Sequence, residues 1–490
     1  MRIYSAAQQR YLDQATMELE PIASHALMER AATACFAHLL KHIRPDQEVI
    51  LFCGTGNNGG DGLVLARLFK EAGFLTTIYL VGFGEMTDDC QLQFERLKQD
   101  IIIFSESSRP LFHSNAVVID ALLGTGGNRK PEGLLANAIN SINSSSVPVL
   151  SIDMPSGLPA DEVPDHDILV RATNTLTIHA PKLTFFLPET HHYLGDWEVV
   201  EIGISEQESA KLQVRYELLE TGSVQELIPL RERFSHKGTY GHGLLIAGST
   251  GKMGACILGA RAALRSGLGL LTVYTCQEGK AVLPLSIPES MGIFDAGTTE
   301  ITDCILPNGL TIDAIGIGPG LGVHPGTGRA IERVFSMNKP TVIDADALNM
   351  LGMYPDLLEE LPVNSILTPH PKEFERLAGK SINSSDRLER LVHFAQTYRC
   401  VVVLKDAITA IATPDGKVWL NTSGNNGMAK GGSGDSLTGI LLGLMSQGIS
   451  SENAAKIGVH FHGLAGDQAC MKKGERAMLP SDLIEALRIG

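Results

Sequence analysis

Val49-Ile-Leu-Phe-Cys-Gly-Thr-Gly-Asn-Asn-Gly-Gly-Asp-Gly62 is a short apolar run that breaks into a glycine-rich turn and continues as the helical pattern Leu63, Ala66, Arg67, Phe69. Apolar strand, glycine turn and helix in direct succession form the unit from which open parallel α/β sheets are assembled. Gly54, Gly56 and Gly59 satisfy the G-x-G-x-x-G fingerprint in that setting. The acidic residue that a dinucleotide site expects about 20 positions on is missing, because Phe74-Leu-Thr-Thr-Ile-Tyr-Leu80 reads as the next strand. The turn instead carries Asn57, Asn58 and Asp61, which offer side-chain oxygens where an ordinary turn of this kind presents backbone.

Two later strands end in the same way. Val117-Val-Ile-Asp120 runs into Ala-Leu-Leu-Gly124-Thr-Gly-Gly-Asn-Arg-Lys130, and Val149-Leu-Ser-Ile-Asp153 into Met-Pro-Ser156-Gly157. Strand C-termini line the ligand crevice of a parallel sheet, so Asn58, Asp61, Asp120, Asp153 and Ser156 are expected to face one pocket. Oxygen donors of this kind suit a hard cation, not zinc. His179, His191 and His192 read as strand-end or surface residues. Upstream, residues 5–18 and 24–41 carry helical periodicity, the second with Ser24 as its expected N-cap.

The second half repeats the grammar. Leu244-Leu-Ile-Ala-Gly248, Ala314-Ile-Gly-Ile-Gly-Pro-Gly-Leu-Gly322, Thr341-Val-Ile-Asp-Ala-Asp346, Ser365-Ile-Leu-Thr-Pro-His-Pro-Lys-Glu373 and Val401-Val-Val-Leu-Lys-Asp406 are strands that each meet a turn. Gly251-Lys252 is not a P-loop, since Met253 stands where Ser or Thr is required. Asp344 and Asp346, two apart, would share a face in a strand and hold Mg²⁺ through water; helix capping is the other reading. Glu373 suits a helix N-terminus. The last glycine loop, Gly424-Asn-Asn-Gly-Met-Ala-Lys-Gly-Gly-Ser-Gly-Asp435, leads into the apolar helix Leu437, Ile440, Leu441, Leu444. Bare backbone N–H groups at a helix start can cradle an anion such as phosphate. Asp435 is then either a plain first-turn residue or a carboxylate placed to take a proton from a substrate hydroxyl.

Length and composition bound these readings. A chain of 490 residues exceeds a single core, and two domains are expected, with the boundary near 215–225. With 40 Lys plus Arg against 55 Asp plus Glu, the net charge of −15 argues against nucleic acid or an anionic membrane as partner. The eight cysteines are scattered without a Cys-x-x-Cys pair and read as reduced core thiols, which with the absence of a long apolar stretch leads us to expect a cytoplasmic protein.

Asn57-Asn-Gly-Gly-Asp-Gly62, Asp120-Ala-Leu-Leu-Gly-Thr-Gly126 and Asp153-Met-Pro-Ser-Gly157 together resemble the NAD(P)H-hydrate epimerase domain, over residues 1–215. The resemblance implies a Rossmann-like three-layer α/β/α fold and interconversion of the R and S hydrates of NADH and NADPH. It implies Asp153 as catalytic residue and substrate contacts from Asn57, Asn58, Gly59, Gly60, Asp61, Gly124, Thr125, Gly126, Gly127, Asn128, Arg129 and Lys130. Potassium would be held by Asn58, Asp120 and Ser156.

His236-Lys-Gly, Gly318-Pro-Gly-Leu-Gly322, Asp344-Ala-Asp-Ala-Leu-Asn349, Thr368-Pro-His-Pro-Lys-Glu373 and Gly427-Met-Ala, ending in Gly432-Ser-Gly-Asp435, resemble the ribokinase-like NAD(P)H-hydrate dehydratase domain, over residues 225–490. This implies dehydration of the S hydrate with Mg²⁺ and a phosphoryl donor. Two-domain bacterial members look ADP-dependent, so ADP, giving AMP and phosphate, is expected over ATP. By position, Ala255, Gly320, His370 and catalytic Asp435 would contact the hydrate; Lys405, Asp406, Ala407, Ile408, Thr409 and Gly434 would contact the nucleotide. Asp406 stands where the family has Gly, and Lys430 where it has a small hydroxyl residue; Lys430 either offsets the charge of Asp406 or points to solvent. A homo-oligomer is expected. The alternative is a ribokinase-like small-molecule kinase with an N-terminal ligand-binding regulatory domain.

Overall fold

The computed structural model describes residues 1–127 and 129–490 and divides into two compact units, residues 2–214 and a second comprising Met1 with 215–490. In the first, seven strands form one sheet: β1 (Glu48–Cys53), β2 (Thr76–Leu80), β3 (Ile101–Ile103), β4 (Ala116–Ala121), β5 (Val149–Ile152), β6 (Asn174–Ile178) and β7 (Asp196–Val200). The order is β3-β2-β1-β4-β5-β6-β7, all parallel. The strand order reverses between β1 and β4, which is where an open α/β sheet binds its ligand. Apolar side chains fill both faces, one under α1 (Ala6–Leu19), α2 (Ser24–Leu39), α3 (Asn57–Glu71) and α4 (Asp88–Leu97), the other under α5 (Gly133–Asn143).

Local chemistry explains some element ends. Ser5 caps α1 through a reciprocal box with Gln8. The expected cap at Ser24 does not form: Ala23 is the N-cap of α2 and Ser24 is already its first helical residue. Of the fingerprint glycines, Gly54 and Gly59 act by close approach, whereas a Cβ on Gly56 would meet open space. A Cβ on Gly59 would lie 2.0 Å from the Gly54 carbonyl oxygen, so only glycine lets α3 begin this tightly against the end of β1.

The second unit carries β8 (Tyr216–Leu218), β9 (His242–Ile246), β10 (Leu270–Thr275), β11 (Met291–Phe294), β12 (Ala314–Ile317), β13 (Thr341–Ile343), β14 (Ile366–Leu367), β15 (Val401–Leu404), β16 (Thr409–Ala412) and β17 (Val418–Asn421). They lie in the order β8-β17-β16-β15-β14-β13-β12-β9-β10-β11, antiparallel only at β15/β16 and β16/β17. The reversal here falls between β9 and β12. Over it pack α6 (Met253–Arg265) and α9 (Ser433–Ser446), with α7 (Ala345–Met353), α8 (Pro371–Ala378) and α10 (Ser451–Lys473) around them. A Cβ on Gly439 would sit 2.0 Å from the Gly259 carbonyl oxygen, so paired glycines bring α9 and α6 into backbone contact. Gly432, in the left-handed region at φ 106°, turns the chain into α9.

Candidate functional site

In the first unit a cavity of about 520 Å³ opens at the β1/β4 reversal and is lined by Asn57, Asn58, Asp61, Gly124, Thr125, Gly126 and Asp153. Asp153 follows β5 with φ 65°, a region that Asp tolerates better than most residues. Its Oδ1 accepts from Lys182 Nζ at 2.7 Å and from Ile178 N at 3.3 Å; Oδ2 accepts from Thr125 N at 3.4 Å. Lys182, 2% exposed, also donates to Thr177 Oγ1 and to the carbonyls of Ile178 and Ala180, a fully satisfied buried ammonium.

Asp120 and Ser156 lie beneath the cavity and not on its wall, contrary to the expectation of one shared pocket. Asp120 is fully buried and accepts from Ser156 Oγ at 2.5 Å, Ser156 N at 2.9 Å and Ser151 Oγ at 2.8 Å. Burial raises its carboxyl above the ordinary value against the pull of these hydrogen bonds. Asn58 is 8% exposed and neither its Oδ1 nor its Nδ2 has a partner. A buried amide oxygen without a donor is an atom that a hard cation would satisfy.

The cavity is acidic beyond Asp153. Burial, then Asp153, Asp13 and Asp89, drive Asp61 well above the usual carboxyl range. Gly59 and Gly60 are packing positions, the second with a hypothetical Cβ against Met28, and with Gly127, Arg129 and Lys130 they are not among the cavity residues. Asn128 lies outside the described residues. His191 and His192 are exposed in a short 3₁₀ turn, as expected of surface residues; His179 directly follows β6, as expected of a strand-end residue, and is partly buried with both ring nitrogens unpartnered.

In the second unit the strand ends converge on the start of α9. Asp344, 1% exposed, accepts from Lys405 Nζ at 2.7 Å and Thr438 Oγ1 at 2.7 Å. Burial alone would push its carboxyl up; Lys405 and the hydroxyls of Thr438 and Thr368 hold it below the ordinary value. A Cβ on Gly434 would be 3.2 Å from Lys405 Nζ, so the ammonium stands directly at the glycine-rich helix start. Asp435 is pushed up to about 6 by burial and then by Asp344, with Lys405 opposing and Asp346 adding. Ala255 and Gly320 adjoin, since a Cβ on Gly320 would meet that of Ala255 at 3.3 Å. Lys405 N donates to the carbonyl of Pro369, which places His370 next in line.

Several expectations change. Asp344 and Asp346 do not share a strand face: Ala345 at φ 50° separates them, and Asp346 accepts instead from Gly322 N at 2.7 Å and Lys252 Nζ at 3.2 Å. His370 caps α8, its Nδ1 accepting from Glu373 N at 3.3 Å while Glu373 Oε2 accepts from His370 N at 2.9 Å, which is the helix-start role read for Glu373. Lys405, Asp406, Ala407 and Ile408 form the turn between β15 and Thr409, the first residue of β16. Asp406 turns to Arg387 at 3.5 Å and to its neighbour Ala407 N at 2.8 Å. Lys430 neither offsets Asp406 nor points to solvent; its Nζ donates to the carbonyls of Arg476 and Met478.

The pattern described as NAD(P)H-hydrate dehydratase matches residues 243–488, and that described as YjeF-related protein N-terminus matches residues 24–184. The bifunctional NAD(P)H-hydrate repair enzyme Nnr of Coxiella burnetii is 36% identical over 99% of both chains. That of Moorella thermoacetica is 34% identical over 99% of this chain and 96% of its own. Among solved structures, an ADP/ATP-dependent NAD(P)H-hydrate dehydratase from Bacillus subtilis, co-crystallised with ATP/Mg²⁺, is 32% identical over 55% of this chain and 95% of its own, with a TM-score of 0.49.

Proposed function

The chain belongs to the bifunctional NAD(P)H-hydrate repair enzymes, and from that premise we propose how its residues divide the two activities. The cavity around Asp153 interconverts the R and S hydrates; the start of α9 carries the nucleotide-dependent dehydration of the S hydrate. The observation that supports this most directly is that each unit sets a carboxylate at a strand end or helix start with a lysine nearby, Asp153 with Lys182 and Asp435 near Lys405.

In the epimerase cavity Asp153 acts as acid or base at the carbon that bears the hydroxyl, held in place by Lys182 and by the backbone N–H groups of Ile178 and Thr125. Asn58, Asp120 and Ser156 would hold potassium, which supplies positive charge for an anionic dinucleotide. In the dehydratase, Asp435 takes the proton of the substrate hydroxyl. The hydroxyl oxygen attacks the terminal phosphorus of ADP and AMP leaves; loss of phosphate and of a proton from the adjoining carbon restores the ring double bond. Gly431–Gly434 and Lys405 receive the transferring group, with Ala255, Gly320 and His370 toward the hydrate and residues 405–409 toward the nucleotide. Mg²⁺, held chiefly by the phosphates, would add charge against them, with Asp346 and Asp435 as the nearby carboxylates.

We place the activity in the cytoplasm, in a homo-oligomer, with domains close to 1–215 and 225–490. No helix among the described residues is long and apolar enough to cross a membrane. The small-molecule kinase alternative is not favoured, because relatives named for the repair activities match over both halves.

The test is conversion of mixed R and S NADH hydrates with Mg²⁺, K⁺ and either ADP or ATP, followed by NADH absorbance and chromatography. Asp435→Asn is expected to stop dehydration and spare epimerisation, and Asp153→Ala to leave the R hydrate while the S hydrate is still consumed. Loss of both activities in either folded variant would refute the division.

A further inference from the structure

The cavity has a wall that no strand end supplies. Gln9, Arg10, Asp13, Gln14 and Met17 line it from α1, at spacings that put them on one helix face. A helix that merely covered the sheet would present apolar residues here, yet the middle of this face is a carboxyl. Asp13 Oδ1 accepts a long hydrogen bond, 3.3 Å, from Gln9 Nε2. Burial, with a smaller push from Asp153, raises it to about 6, while the Gln9 bond and Lys182 pull the other way. The charged groups facing it are Arg10 on its own helix, Asp61 on α3, Asp89 on α4, and Asp153 and Lys182 at the strand ends.

Epimerising a carbon that carries a hydroxyl requires proton delivery where the hydroxyl leaves and proton removal where it returns, on opposite faces. One carboxylate fixed by a buried lysine cannot reach both. We propose that Asp13 is a second catalytic residue of the epimerase, donating the proton to the departing hydroxyl while Asp153 accepts the proton of the water that re-enters on the other face. This rests on the assignment of the cavity to epimerisation. In the step, the carbon–oxygen bond breaks as the ring-nitrogen lone pair forms a carbon–nitrogen double bond, and the hydroxyl leaves as water with the proton from Asp13. A water oxygen then bonds to the opposite face, the electron pair returns to nitrogen and Asp153 takes the released proton. Solvent restores both groups, and the reverse reaction exchanges their roles. Two carboxyls in different surroundings, one against a lysine and one among other acids, are the arrangement that separates acid from base.

The experiment measures R-to-S conversion by chromatography in the full chain without nucleotide, so that dehydration is silent. Asp13→Asn, which keeps the shape and the Gln9 contact, is expected to lower kcat about 10²–10⁴-fold, the usual range for a general acid or base, with KM changed less than about threefold. The pH-rate limb near 6 should vanish, and Asp13→Glu should recover at least about tenfold over Asn. Retention of more than about a tenth of kcat by Asp13→Asn, a loss confined to KM, or no recovery by Glu would overturn the proposal. If Asp153→Ala also epimerises at the parent rate, the cavity assignment itself falls, a result distinct from failure at Asp13 alone.

Discussion

Asp435→Asn should abolish dehydration and at the same time stabilise the protein, with a gain that depends on pH in a calculable way. The carboxyl is pushed from 3.8 to about 6 by burial and by Asp344 and Asp346, so the folded state holds its proton more tightly than the unfolded chain does. Above pH 6 the folded protein carries an ionised carboxylate in a place that disfavours it; below 3.8 both states are protonated and nothing is lost. At about 1.4 kcal/mol per pH unit, the ionised group costs about 3 kcal/mol at pH 8, and linkage gives about 1.5 kcal/mol at pH 5. An amide of the same shape removes that cost, so the second unit of the variant should melt about 6–10 °C higher at pH 8 and about half as much higher at pH 5. Differential scanning calorimetry of the full chain from pH 5 to 8 reads this directly. A variant that melts no higher than its parent at pH 8, or whose gain is the same at both pH values, refutes the reasoning. In the parent, dehydration should fall with acid below about pH 6, since the base must be ionised to act.

Gly59→Ala places a methyl group 2.0 Å from the Gly54 carbonyl oxygen, a contact that only backbone movement relieves; epimerisation should drop at least about tenfold and the first unit lose about 3 kcal/mol or more, while dehydration persists. Activity assays beside a two-transition melt separate the effects. Asp406→Gly removes a carboxylate from the turn after β15 and releases Arg387, so KM for ADP should fall about two- to tenfold with little change in kcat. Steady-state kinetics with ADP and ATP in parallel check it, and an unchanged KM for both would show that Asp406 does not face the nucleotide.

The fold was legible in the sequence, and so was the placing of Asp153 after a strand and of Asp435 at a helix start, because strand, turn and helix each leave a local mark: period, glycine, cap. The partners of those carboxylates were not. Lys182 follows a strand end and a proline and reads as any loop lysine, yet it lies against Asp153 after a separation of 29 positions. Lys405 and Asp344 meet across 61 positions, which the register of β13, β14 and β15 decides and no pattern along the chain records. Asp13 sits in an amphipathic helix where a polar residue defaults to the solvent side. The misread cap at Ser24 is of another kind: the chain enters α2 one residue early, and the cap position falls to Ala23. The His370-x-x-Glu373 box was only half read, because histidine is an unusual N-cap and its imidazole Nδ1 supplies the acceptor that a hydroxyl normally does.

The two units answer the same electrostatic difficulty with the same device. A chain of net charge −15 must hold anionic substrates near its own carboxylates, and distant surface charge would oppose this. Each unit keeps an ammonium close to the carboxylate assigned to its chemistry: Lys182, satisfied by four oxygens and 2% exposed, and Lys405, tied to a carboxylate that is itself 1% exposed. The difference between them matters. Lys182 directly contacts the Asp153 carboxylate and fixes its position, while Asp13 and Asp61 in the same cavity are raised chiefly by burial. Lys405 is held by Asp344 instead, so Asp435 feels its charge without being paired and keeps a raised proton affinity suited to a base that works near neutral pH. Removing Lys405 would strand the buried carboxylate of Asp344 at a cost of about 3–5 kcal/mol, so that lysine is bound into the folding of its unit as well as into its chemistry.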